Sequence, residues 1–155
     1  VRLKETVQQA VVNGRLDDLD RIVAGDVRAI RFLLGMTYRI DETIRKTAGR
    51  AIARASAHHP KAIAELVRRL VWAMNDESGA NALTAPAVIL AIAEEKPELL
   101  LPMVPDLTRL AADEGLRKDL SAAMRIVALA CPGQVGNRLA SFINDKAARG
   151  ECCGY

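Results

Sequence analysis

Apolar residues recur at three- and four-residue spacing along most of the chain, so the elements can be read off in order. Leu3, Val7, Ala10 and Val11 share one face and Asn13-Gly14 stops the run, which predicts a helix from Leu3 to Val12. Leu16, Leu19, Ile22 and Val23 predict a second over residues 15–24, ended by Gly25. Asp26 is placed to cap a third that carries Val27, Ile30, Leu33 and Leu34 before Gly35. Behind Asp41, another candidate N-cap, Ile44, Ala48, Ala51, Ile52 and Ala55 keep the helical spacing. Pro60 then opens a helix with a wide stripe, Ile63, Leu66, Val67, Leu70, Val71 and Met74, at a position where a missing amide costs nothing. A polar stretch follows from Asn75 to Leu83. Thr84 is the expected cap of the next helix, with Pro86 in its first turn and Val88, Ile89 and Ile92 on its face. Its partner begins near Pro97 with Leu100, Val104, Leu107 and Leu110, and Pro102 and Pro105 predict a bend or a delayed start. Leu116, Leu120, Ala123, Met124 and Val127, then Val135, Leu139, Phe142 and Ile143, complete the pattern.

These helices repeat. Asp41-Glu42-Thr43-Ile44-Arg45-Lys46 returns as Asp113-Glu114-Gly115-Leu116-Arg117-Lys118, an offset of 72 that also relates Ala51-Ile52 to Ala123-Met124 and Pro60 to Pro132. A weaker copy sits halfway between them, at Ala87-Val88 and Pro97. A period near 36 residues made of two helices marks an α-helical repeat array. One domain over residues 1–148 is expected, with an atypical first unit at 1–38, repeats near 41–76, 77–112 and 113–148, and a mobile tail at 149–155.

The skeleton Asp41, Ile44, Arg45, Ala48, Ala51, Ile52 resembles the first helix of a HEAT-like (armadillo-type) repeat, and it survives in part at Asp113, Leu116, Arg117, Ala123 and Met124. The resemblance implies an all-α fold, a right-handed α-α superhelix of about four antiparallel helix pairs with an N-terminal cap. It also implies a ladder of acid and arginine between neighbouring repeats, interrupted here because the middle repeat lacks both. The string Trp72-Ala-Met-Asn-Asp-Glu-Ser-Gly79, followed by Ala85-Pro86, resembles a motif of small prokaryotic HEAT-repeat proteins, and departs from it at Asn81-Ala82-Leu83.

Composition narrows the picture. Half of the residues are apolar but only 3% aromatic, so the core must be aliphatic. A net charge of +3 is too mild to argue for a polyanion by itself. Local clustering is stronger: residues 39–69 hold eight Lys or Arg against three acids. Three cysteines, two of them adjacent, do not form a secreted disulfide framework, and neither a membrane span nor a signal peptide is evident, so a cytoplasmic location is the expectation.

Four groups of residues are candidates for function. Lys46, Arg50 and Arg54 step by four along one helix, with His58 continuing the series and Lys61, Arg68 and Arg69 on the next; such a stripe suits a partner protein or a polyanion, as in HEAT-like DNA glycosylases. Trp72, Asp76 and Glu77 mark a loop or groove contact, although inter-repeat packing is the expected role of Trp72. Cys152 and Cys153 are a possible thiol site for redox chemistry or a soft metal, while Cys131 reads as a small buried residue. His58 and His59 point in different directions on a helix and make a poor metal pair. No catalytic residue, metal site or cofactor is expected. The leading expectation is a non-enzymatic scaffold whose partner is another protein, with nucleic-acid binding as the alternative; a HEAT-like chromophore lyase has only the thiol pair behind it.

Overall fold

The computed structural model describes residues 2–76 and 81–135, and these form helices joined by short turns, with no strand among them. The order is α1 (Leu3–Val12), α2 (Leu16–Gly25), α3 (Ala29–Met36), α4 (Glu42–Ala55), α5 (Pro60–Asn75), α6 (Asn81–Glu95), a 3-10 segment (Pro97–Met103), α7 (Val104–Leu110), α8 (Arg117–Ala130) and the short α9 (Pro132–Val135). Glu77, Cys152 and Cys153, the apolar run Leu139, Phe142 and Ile143, and the expected mobile tail lie outside the described residues.

Local chemistry explains most of the boundaries. Gly14 ends the α1 turn with φ +68, a left-handed conformation that a side chain would strain. The Asp41 carboxylate accepts from the amide of Ile44 at 3.1 Å, the N-cap bond expected of it. Asp26 behaves differently. It accepts from the amide of Arg28 at 3.0 Å and pairs with that guanidinium at 2.7 Å, forming a tight turn, and the helix starts only at Ala29. The N-cap predicted at Thr84 is also corrected: α6 starts at Asn81, and Thr84 and Pro86 sit inside it. Pro86 therefore falls in the second turn, where it removes the amide that would bond to the carbonyl of Ala82 and its ring crowds that carbonyl. The delayed start after Pro97 appears as the 3-10 segment, which passes into α7 at Val104 with Pro105 in its first turn.

Much of the packing joins alternate helices, alongside contacts between sequential ones such as α3 with α4 and α5 with α6. α2 lies on α4, α4 on α6 and α6 on α8, while α1 contacts α3 and α5 contacts the 3-10 segment and α7. Between them is a single aliphatic core that includes Leu19, Leu33, Ile52, Ile63, Ile89, Ile92, Leu107 and Met124, all fully buried. At Gly49, α4 and α6 approach closely. A Cβ built on Gly49 would stand 2.8 Å from the Cβ of Ala91, so this helix pair is set by the absence of a side chain.

The repeated arginines keep equivalent partners. Arg45 donates to the carbonyls of Arg39, at 3.1 Å, and Ile40. Arg117, 72 residues on, donates to Ala111 at 3.4 Å and to Ala112 at 2.9 Å, the same positions shifted by the period. Each arginine therefore ties the entry of its helix to the preceding turn. The acid–arginine bridges between helices come from other residues, described next.

Candidate functional site

The basic stripe on α4 lies against acids. Lys46 pairs with Glu42 at 3.1 Å, Arg50 lies 3.8 Å from Glu94, and Arg54 binds Glu95 at 2.9 Å, Asp20 at 3.1 Å and Asp17 at 3.4 Å. Asp17 and Asp20 belong to α2, Glu94 and Glu95 to α6. The arginines thus bridge three consecutive members of the stack, and the hydrogen bond to Glu95 above all holds the Arg54 guanidinium above its ordinary range. A second set of bonds reinforces this seam. Lys96 donates to the buried Ser56 hydroxyl at 3.0 Å, and the His59 ring Nε2 lies 2.9 Å from the carbonyl of Val23. Since a carbonyl only accepts, that nitrogen carries the proton. His58, its neighbour, is exposed.

The outer face of α5 is the more open surface. Glu65, Arg68, Arg69, Trp72 and Asn75 recur at three and four and form one stripe, which faces Met103 and Asp106 across a groove of about 430 Å³. Val71 closes its floor. Trp72 is 70% exposed, so the expectation that it packs between repeats is overturned: the α5 core stripe turns Val71 and Leu70 inward and leaves the indole on the opposite side. Arg68 and Arg69, drawn from the basic series, join Trp72 here, whereas Lys46, Arg50 and Arg54 lie on another helix and Asp76 is exposed at the end of α5, outside the groove lining.

The charges around this groove are unequal in their commitments. Arg68 is held by Glu65 at 2.7 Å, and Arg109 by Asp106 at 3.1 Å. Asn75 is oriented twice, its amide donating to the carbonyl of Val71 at 3.2 Å and its oxygen accepting from Arg109 at 3.2 Å. Arg69 is exposed and has no ion pair among the described residues. The sequence signal for this constellation was present in the spacing of residues 65, 68, 69, 72 and 75, but Met103 and Asp106 come from a segment that no local pattern links to it.

Among the described residues no three His, Cys, Asp or Glu side chains gather as metal ligands, and no helix is long and apolar enough to cross a membrane. Cys131, expected to be buried, is half-buried at the end of α8. No family model matches the chain, and no curated protein or solved structure matches it.

Proposed function

We propose that this chain is a HEAT-like helical-repeat module, a right-handed superhelix of helix pairs that acts as a scaffold by binding another protein through the groove between α5 and α7. The observation that carries this reading is Trp72, a large aromatic standing 70% exposed over a mostly apolar notch. Exposed Trp flanked by Arg is the composition of an interface anchor, since both are enriched where binding energy concentrates. The next-but-one packing of α2, α4, α6 and α8 and the matched caps of Arg45 and Arg117 support the repeat assignment. A polyanion-binding role for Lys46, Arg50 and Arg54 has less support, because each already faces a carboxylate within the fold.

The test is affinity capture from lysate of the source cell with the intact protein and a Trp72→Ala variant, each with and without nuclease. A defined protein retained after nuclease and lost with Trp72→Ala is the expected result. Recovery of nucleic acid alone, or a partner indifferent to Trp72, would sink the proposal.

A further inference from the structure

The chemistry of the groove narrows what it accepts. Two donors on its rim have no partner among the described residues. The carboxylates of Glu65 and Asp106 are engaged by Arg68 and Arg109, and the Asn75 oxygen is taken by Arg109, while the Arg69 guanidinium and the indole N–H of Trp72 can only donate. An occupant that satisfies these two donors brings an acceptor, and beside a guanidinium the favoured acceptor is a carboxylate, which matches its planar fork. Next to that point the surface is apolar, formed by the Trp72 face, Val71 and the half-buried Met103.

From this juxtaposition we infer that the groove binds a peptide segment presenting one acidic side chain beside a large aliphatic or aromatic one, the acid on Arg69 and the apolar group on Trp72. The inference rests on the protein-binding reading above and supplies the partner's chemistry. A volume of about 430 Å³ suits a few side chains rather than a folded domain. Glu65 and Asp106 decide between peptide and nucleic acid. A lone carboxylate can pair with Arg69 and leave both acids in their ion pairs, whereas a run of phosphates gains further contacts only by displacing Glu65 and Asp106 from Arg68 and Arg109.

The experiment is a random-peptide phage selection on the whole protein, run in parallel on Arg69→Glu and Trp72→Ala. Both positions of change are exposed helix surface, and thermal melts establish that the variants fold. Selected sequences are then synthesised and titrated while following Trp72, the only tryptophan in the chain. The wild type is expected to select Asp or Glu next to Leu, Ile, Phe or Tyr, with Arg69→Glu exchanging the acid for Lys or Arg and weakening the original peptides roughly tenfold or more. Trp72→Ala is expected to abolish the selection. Binders without an acid, an acid preference unchanged by Arg69→Glu, or no Trp72-dependent binder would each overturn the inference. So would a single-stranded oligothymidylate that alters Trp72 emission with a salt slope of several phosphates. Loss of a lysate partner in Trp72→Ala combined with an acid-independent selection would leave the protein-binding reading standing and remove only the peptide chemistry.

Discussion

Gly49→Ala is a sharp test of the packing because two well-understood effects oppose each other at that position. Gly49 lies mid-helix in α4, where alanine should stabilise by up to about 1 kcal/mol on propensity alone. The added Cβ, however, would sit 2.8 Å from the Ala91 Cβ and 3.4 Å from the Val88 carbonyl oxygen. That is roughly 0.7 Å short of an ordinary carbon–carbon contact of about 3.5 Å. Neither neighbour is the free end of a flexible side chain, so relief requires α4 and α6 to separate, and both carry core residues on this side. Overpacking of this kind costs about 1–3 kcal/mol. The net expectation is a loss of roughly 1–2 kcal/mol, seen as a lower urea midpoint with an unchanged slope, and a melting temperature lower by roughly 2–8 °C for a chain of this size. Ala91→Gly in the same background should recover part of the loss, since it removes the opposing methyl; the recovery in a double-mutant cycle measures the clash itself. A Gly49→Ala protein as stable as wild type or more so would refute the close approach of α4 and α6.

Arg54→Ala should cost roughly 1 kcal/mol, because it removes a guanidinium only partly screened by solvent and leaves Asp17, Asp20 and Glu95 facing one another. The loss should shrink in molar salt, and a loss independent of salt would argue against an electrostatic origin. Asp26 is held below the ordinary carboxylate range by its hydrogen bonds to Arg28, so its contribution to stability is complete above the unfolded-state pKa and disappears as pH falls through the folded one. Wild type should therefore lose more stability than Asp26→Asn on acidification through the range near and below about pH 4, and parallel urea-midpoint profiles would contradict this. Trp72→Ala should change stability by less than about 1 kcal/mol, against the 3–5 kcal/mol typical of a buried tryptophan, and wild-type fluorescence should be readily quenched by iodide. A large loss or a protected indole would show that Trp72 belongs to the core.

Helical class and most boundaries were legible because they depend on neighbours three or four residues away. Leu3–Val12 and the start at Pro60 came out as read, and the prolines around Pro102 announced the 3-10 segment. The 72-residue correspondence also had physical content, since Arg45 and Arg117 reach equivalent carbonyls, but it did not transfer whole. Asp41 caps α4, whereas Asp113 turns to the amide of Gly115, the residue that replaces Thr43, and α8 begins only at Arg117. The site was less legible. Spacing showed that Lys46, Arg50 and Arg54 share a face, yet what Arg54 meets there includes Glu95, 41 residues away. Trp72 was visibly off the core stripe, but whether anything covered it depended on where the 3-10 segment and α7 lie against α5, which no local spacing gives.

The position of α6 has a consequence for how the molecule opens. An ideal linear array can fray from either end, one unit at a time. Here α6 is in contact with α4, α5, the 3-10 segment and α8 at once, and its residues Val88, Ile89, Ile92 and Ala93 are fully buried. A partial opening that keeps these neighbours native leaves the buried stretch from Val88 to Ala93 dry. The amides of that stretch of α6 should exchange with solvent only when the whole chain unfolds, while those of α1 exchange through smaller openings, so α6 acts as the keystone of the molecule's kinetics.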